Sequence, residues 1–429
     1  MPEAADIARV LFSDLHGLTH GKYVAADDLD HPTHYAVTVL TQAIDGDMPP
    51  APGYGADVGF PDMEGRADLA TRRPGWEPDT DVVFADLFHT DGRELPIDVR
   101  RALRLVCQRW MARGLTPMAG FEMELYLLAK DPGEGLEVLA VPGHRVYGTG
   151  TAFDPTGIGR EIFETCRRCG IPVEGVNGEF HPGQMEVALH YRDAVSAADD
   201  AFLFRDLARE LAQRAGRGAT FMPRPFAELV GTGLHVNLSL QDAQGSNALA
   251  ASDDEYGLTR LGRHALAGLI AHHEALCAIG APTINSYKRL VPGLIAGYWA
   301  NWGLDNRFST YRVPGERGQA TRIECRNPDG AASPHLVTAA LLAAMLHGLE
   351  DELPLPEPQV GDADTEPNTD RHAPHSLAEA LDAVEKDTVL TEALGADLMR
   401  TFVSVKRADV TRFNAAVTDW EIREYARLF

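Results

Sequence analysis

Cysteine is scarce, five in 429 residues, too few for a disulfide framework in a chain this long. Cys166 and Cys169 form a CxxC, but no second pair or histidine set accompanies them. Two positions on one helix face is therefore a simpler reading than a zinc site. Positive charge is also in short supply. With 39 Lys+Arg against 63 Asp+Glu the formal charge is −24, which suits neither a nucleic-acid backbone nor an anionic membrane as partner. The longest apolar run, Leu336 to Leu346, falls short of the ~20 residues a membrane span needs. Acidic residues and a histidine interrupt MPEAADIARVLFSDLHGLTHGK where a signal peptide would carry its apolar core. A soluble, cytoplasmic protein is the expectation. The chain also lacks a GxxxxGK[ST] phosphate loop, an internal repeat and any low-complexity tract.

What is present is a globular composition, 45% apolar and 24% charged, enough for a large core in two or three folding units. Residues 6–100 carry short apolar runs, Ala8–Phe12, Ala36–Leu40 and Val82–Phe84, broken by Gly, Pro and Asp. These predict strands and a small β-rich N-terminal domain over residues 1–100. From residue 101 a larger domain is expected. The stretch after Asp98 has helical periodicity, with Asp98 as N-cap and Gly114 as stop. Strand-like pieces at Gly120–Leu128, Gly183–His190, Gly233–Leu240 and Arg322–Arg326 then alternate with helical segments. The helices are placed at Gly157–Gly170, Ala194–Ala215, Leu258–Ile279 and Pro334–Glu350, giving an α+β fold on an antiparallel or mixed sheet. Leu353–His375, rich in Pro, Asp and Glu, reads as a surface loop, and a terminal helical segment follows from Ser376.

The chemistry sits on the strand-like pieces. In GFEMELYLL, Glu122 and Glu124 are two apart, a spacing that on a strand puts both carboxylates on one face. Such a pair repels and wants a cation or an arginine. Alternating acids also mark a solvated strand face, and this motif alone leaves both readings open. Glu179 and Glu186 flank a Pro-Gly turn, His235 follows a Gly-Thr-Gly turn, and Glu324 lies between Arg322 and Arg326. Five carboxylates and one imidazole resemble an oxygen-rich site for Mg²⁺ or Mn²⁺ more than a thiolate-rich zinc site. Arg289, Arg307, Arg312, Arg322 and Arg326 cluster in the same half of the chain. Metals with arginines are a usual means of neutralising a transferring phosphate.

The ordered motifs FEMEL, GEFHPGQMEV, TFMPRP, GTGLHVNLSL, NSYKRLVPG, NRFSTYRVP and RIECRNPDGAASPHL resemble those of the glutamine synthetase family, from about Ile7 to Phe429. The resemblance implies a β-grasp-like N-terminal domain followed by the family's catalytic domain, residues 101–429. It implies that Glu124, Glu179 and Glu186 hold one metal, and Glu122, His235 and Glu324 the other, with two to three Mg²⁺ or Mn²⁺ per site. Arg289 and Arg326 match the arginines that hold glutamate and its acyl phosphate, beside Gly231. Arg307, Arg312 and Arg322 match phosphate contacts, with Ser239 and Glu174 at the nucleotide, and Arg289, Arg307 and Arg326 are the expected catalytic set. The implied reaction is ATP-driven: the γ-carboxylate of glutamate takes the terminal phosphate, then an amine displaces it. A homo-oligomer, a dodecamer of two stacked hexamers with shared active sites, is implied as well.

Departures from the family pattern carry as much weight. Leu294-Ile295-Ala296-Gly297 stands where the family commonly has Tyr-Glu-Ala-Pro, so Ile295 replaces the glutamate that helps bind ammonium and take its proton. Isoleucine does neither. Val230 replaces an asparagine, and Asn237 the second histidine of HVH; Asp45-Gly46-Asp47 is the only counterpart of the neighbour-facing Asp-Gly-Ser-Ser segment. An amine with a carbon substituent could gain about 1–3 kcal/mol against Ile295 and Leu294. The expectation is a ligase joining glutamate to a polyamine, ethanolamine or an alkylamine. The alternatives are an ammonia-using glutamine synthetase, a ligase for another carboxylic acid and, more remotely, a non-catalytic scaffold on this fold.

Overall fold

A computed structural model of the chain describes residues 5–429; the first four residues of the expected N-terminal domain lie outside that range. The first sheet uses β1 (Ile7–Ser13), β2 (Thr19–Ala25), β3 (Thr33–Ala36), β4 (Asp62–Ala67), β5 (Arg73–Pro74) and β6 (Thr80–His89). Its order is β2-β1-β6-β4-β3, with β5 added to β6. The β1–β6 pair is parallel and its other pairs are antiparallel. Two of the three apolar runs expected as strands lie within β1 and β6. The third does not: Val37–Leu40 is a 3₁₀ turn directly after β3. Its apolar residues sit three apart, the repeat of a 3₁₀ turn, so Val37 and Leu40 reach the core together.

Helix α1 (Val99–Met111) starts where expected, the Asp98 side chain accepting from the Arg100 N–H, and Gly114 follows it at φ +75°. The second sheet then begins with β7 (Thr116–Leu128). Helix α2 (Ile158–Arg168) leads to β8 (Val173–Gly178) and β9 (Gln184–Asp193), and α3 (Ala194–Arg214) to β10 (Gly218–Thr220) and β11 (Leu234–Gln241). Helices α4 (Arg260–Ala271) and α5 (His273–Gly280) precede β12 (Trp302–Leu304), β13 (Tyr311–Val313) and β14 (Ile323–Cys325). The order is β12-β13-β14-β11-β7-β9-β8, mostly antiparallel, with β10 added to β7.

The segment expected as one helix, Leu258–Ile279, is two. It breaks at His272, whose Nδ1 lies 2.5 Å from Asp387 Oδ2 and whose Nε2 lies 2.8 Å from His347 Nδ1. Periodicity carries no mark of such a break, because both halves bury the same kind of face. The apolar run Leu336–Leu346 lies in α6 (Pro334–Glu350), buried nearly all round among α1, α3 and α4. A helix apolar on every side belongs in a core. No helix among the described residues is long and apolar enough to cross a membrane.

The terminal helical segment divides into α7 (Leu377–Lys386), α8 (Thr388–Leu394), α9 (Ala396–Ala415) and α10 (Asp419–Tyr425). Leu353–His375 contains neither helix nor strand, as expected of a loop, yet Gln359, Ala363 and Ala373 in it are buried. Core residues of the first sheet, Leu11, Phe12 and Phe84, belong to one continuous apolar cluster with α1, β7 and α6. Arg205 on α3 reinforces the join: its guanidinium donates to the carbonyls of Gly17, Gly330 and Ala332. The β1–β2 turn is thereby tied to the loop after β14. Cys166 and Cys169 are buried free thiols whose acidity burial weakens, in keeping with packing positions.

Candidate active site

One face of the second sheet is packed and the other forms the floor of a cleft, and strand alternation sorts the residues between them. On β7, Phe121, Met123 and Leu125 enter the core while Glu122 and Glu124 face the cleft. On β11, Leu234, Val236, Leu238 and Leu240 go inward and His235, Asn237 and Ser239 outward. Register then aligns the strands. His235 is opposite Glu122, Glu186 opposite Glu124, and Glu324 on β14 lies opposite both Asn237 and Arg312. His235 and Glu122, 113 apart in sequence, thus become neighbours through backbone pairing alone.

The cleft has a volume of about 1050 Å³. Its lining includes Glu122, Glu124, Glu174, Glu179, Glu186, Gly231, His235, Ser239, Arg289, Ile295, Arg307, Arg312, Arg322, Glu324 and Arg326. Every candidate site residue named from the sequence is therefore present in one cavity. Asp45 is not among the lining residues; its carboxylate pairs with Arg412 of the same chain at 2.6 Å.

The floor has two electrostatic halves. In the first, His235 is only 6% exposed and Glu324 2%. His235 Nδ1 lies 3.1 Å from Glu122 Oε2 and 3.7 Å from Glu324 Oε1. Glu122 also accepts from Asn237 Nδ2 at 3.1 Å, and Glu324 accepts from Arg312 at 2.7 Å and from Arg326. Burial pushes the Glu122 acid up, but the His235 hydrogen bond and charge, Asn237 and Arg326 outweigh it and hold it at about 2. Glu324 is likewise drawn down, burial being overcome chiefly by the Arg326 and His235 charges. These carboxylates are already matched.

The second half is not matched. Burial and the Glu124 charge raise Glu179 to about 7, and burial with the charge of Glu122 raises Glu186 to about 8. Crowded carboxylates without a counter-charge resist ionising. A divalent cation is the partner such a group lacks, and the donors fit one. Ligand atoms of Glu122, His235 and Glu324 lie within 4.8 Å of one another, as do those of Glu124, Glu186 and His235. Glu179 lines the cleft but belongs to neither tight group, whereas His235 belongs to both. Its imidazole, with Nε2 3.7 Å from Glu124 Oε1, stands between the halves.

Glycine is needed beside the floor for space. A Cβ on Gly233 would lie 2.9 Å from both Arg289 Nη2 and His235 Nε2, and one on Gly231 would lie 2.3 Å from the Pro223 carbonyl. The Gly-Thr-Gly turn thus makes room for functional side chains against the TFMPRP segment. Arg289, 4% exposed, donates to the carbonyls of Asn327 and Arg326 at 3.0 and 3.1 Å. Arg322 Nε donates to Asn237 at 3.1 Å, while exposed Arg307 makes no ion pair among the described residues. The buried Nε atoms of Arg312 and Arg326 have no hydrogen-bond partner. Unsatisfied guanidinium donors beside a cleft suit an anionic ligand.

Off the sheet, residues 293–296 of the segment 293–299 line the cleft as its roof. Ile295 is 37% exposed and has φ +52°, between Gly293 at +87° and Gly297 at +81°. A β-branched residue in that region is a genuine backbone outlier. Two residues were not singled out as functional from sequence. Gln184, inside GEFHPGQMEV, donates to the Gly231 carbonyl at 3.1 Å and to Glu124 at 3.4 Å. Its position two before Glu186, on the same strand face, was the available signal. Asp364, in the loop 353–375, accepts from Gly293 N at 2.9 Å and from Trp299 Nε1 at 3.2 Å, and no local pattern announces that.

A carboxylate-and-imidazole floor ringed by arginines over an antiparallel sheet is the kind of donor set that metal-assisted phosphoryl transfer uses in ATP-dependent ligases. Residues 96–425 match the family model of the glutamine synthetase catalytic domain. The chain belongs to the glutamine synthetase family, whose members are ligases that use ATP and divalent metals. It is 36% identical over 441 residues to gamma-glutamylethanolamide synthetase GlnA4 of Streptomyces coelicolor, covering 98% of this chain and 93% of that one. It is 35% identical over 358 residues to glutamine synthetase of Thermotoga maritima, with 81% and 80% covered. Glutamate–isopropylamine ligase of a Pseudomonas species is 32% identical over 380 residues, with 86% and 83% covered. A solved GmaS/ADP complex superposes with TM-score 0.88 at 30% identity, covering 99% of this chain and 97% of that one.

Proposed function

We propose that this chain joins the γ-carboxylate of glutamate to a primary monoamine with a short carbon substituent, at the expense of ATP. The observation that carries the reading is Ile295 in the roof over a complete charged floor. The floor supports the activation half of the reaction. Arg289 and Arg326 hold glutamate, and Arg307, Arg312 and Arg322 with Ser239 and Glu174 hold the nucleotide. A γ-carboxylate oxygen attacks the terminal phosphorus and ADP leaves. Glu122, Glu124, Glu179, Glu186, His235 and Glu324 would hold two to three Mg²⁺ or Mn²⁺, which offset phosphate charge when bound. In the second half the amine nitrogen attacks the acyl carbon, inorganic phosphate leaves, and the amine gives up a proton. Ile295 offers no charge to an ammonium ion and no base for that proton, but it offers apolar surface to a carbon chain.

The roof also bears on which amine. Of the seven lining carboxylates, five belong to the floor, Glu316 pairs with Arg322 at 3.2 Å, and Glu174 is the exposed residue of β8. A diamine would find little to neutralise its far ammonium, whereas Val146, Tyr147, Phe180, Leu294 and Ile295 offer apolar surface. Relatives named for an ethanolamide product and for ligation of isopropylamine support the same direction. The same reading includes a cytoplasmic homo-oligomer, a dodecamer, with residues 1–100 as a β-grasp-like domain facing the neighbouring subunit's catalytic domain, residues 101–429. Phosphate release from ATP and glutamate with a panel of amines tests it. Ethanolamine or a short alkylamine should exceed ammonia in kcat/KM by about tenfold or more. Ammonia performing best would overturn it, and a parallel panel of acids with one amine checks that glutamate is the acid.

A further inference from the structure

The roof holds Ile295 in a backbone conformation that its own chemistry disfavours. Such a conformation persists only where the surroundings over-determine it, so the contacts of residues 293–299 identify what does so. The far end leans on the substrate arginine's neighbour: a Cβ on Gly297 would lie 2.8 Å from Asn327 N. Beyond it, Ala300 N donates to the Arg371 carbonyl and Ala373 N to the Tyr298 carbonyl, and the Tyr298 ring stacks on His372 at 5.1 Å.

One side chain bonds both flanks of the turn. Asp364 Oδ2 accepts from Gly293 N at 2.9 Å and Oδ1 from Trp299 Nε1 at 3.2 Å. One carboxylate, with one donor per oxygen, therefore bridges the two flanks of the Ile295 turn. Asp364 is in turn staked down. Its N–H donates to Asp362 Oδ1 at 2.8 Å, and Ala363 beside it is fully buried. Buried Gln359 anchors the same loop: its N–H donates to the Trp302 carbonyl at 2.7 Å, and its side chain donates to the carbonyls of Val360 and Glu366. Asn306, next to Arg307, donates to the carbonyls of Gln359 and Gly361 at 3.2 and 2.9 Å. The loop 353–375 is thus a frame whose inner edge meets the roof through Asp364.

We propose that Asp364 is a positioning residue for amine selection, bracing the turn that presents Ile295 to the cleft although it does not itself line it. This rests on the reading of Ile295 as the amine-facing residue. Asp364 reaches substrate only through the turn, so its loss should weaken amine binding while the floor, held by strand pairing, keeps its grip on ATP and glutamate.

Steady-state kinetics of the full chain with ATP, glutamate and ethanolamine, for wild type, Asp364→Ala and Asp364→Asn, test this. Asp364→Ala should raise KM for the amine about tenfold, leave KM for ATP and glutamate within about twofold, and narrow the preference over ammonia. Asp364→Asn keeps one acceptor and should recover part of the loss, and it carries the test alone if the alanine variant does not fold. An amine KM within about twofold of wild type, or three constants rising in parallel with a falling melting temperature, would overturn the proposal. If the wild type uses ammonia alone, the substrate reading fails separately. The same comparison run with ammonia then decides whether Asp364 positions the turn.

Discussion

The floor and the roof of the cleft are held by different means. Glu122, Glu124, Glu186, His235 and Glu324 stand on paired strands, where each position is set by a ladder of backbone hydrogen bonds and by core side chains on the reverse face, while Glu179 sits in the turn between β8 and β9. Roof residues 293–299 belong to no strand, paired by a single bridge from Trp299 to His372, and are held otherwise by side-chain contacts, the Asp364 carboxylate among them. The floor carries charge and the roof is mostly apolar where it meets the cleft. The contrast suits a two-step reaction: activation needs a rigid charged frame, whereas choosing a nucleophile needs a surface that can vary without disturbing that frame.

The sharpest way to break this division is at Glu324. Glu324→Gln keeps the shape but removes the charge that Arg312, Arg326 and His235 share. Turnover should fall more than about a hundredfold with every amine alike, measured by phosphate release, while circular dichroism shows the fold retained. A loss confined to one amine would contradict the separation.

Ile295→Glu tests the opposite region. The carboxylate should raise kcat/KM for ammonia about tenfold and lower it for an alkylamine by about ten- to a hundredfold, the worth of roughly 1–3 kcal/mol of apolar contact. KM for ATP should stay unchanged. Parallel kinetics on ammonia and propylamine read out both arms.

The smallest expected effect separates the two halves of the floor. Glu179 and Glu186 titrate near 7 and 8 when folded, against about 4.3 in an unfolded chain. The folded, metal-free protein therefore binds more protons through that window, and its stability falls as pH rises through it. A bound divalent cation would replace those protons and flatten the slope. Between pH 6 and 8.5 the melting temperature in chelator should drop by a few degrees more than in Mg²⁺, about 2–4 °C. Thermal melts in the two buffers check it, and equal slopes would mean that no cation occupies this half.

Local patterns made much of the frame legible. The period-2 placing of Glu122 and Glu124, the Asp98 cap and the solid apolar run of α6 are all properties of adjacent residues, and each matches an observed element. The ordered motifs likewise named the lining of the cleft, because each is a short string on one strand or turn. The break at His272 has no local mark, since distant Asp387 and His347 hold it, whereas the division of the C-terminal segment carries local signals at Asp387, Gly395 and Thr418, and the turn at Val37–Leu40 its own three-residue spacing. Local patterns also could not place Glu324 opposite Arg312, or join Asp364 to Gly293 and Trp299. Strand register and a lone carboxylate's choice of donors depend on which distant segments the fold brings together, and no repeat along the chain encodes that.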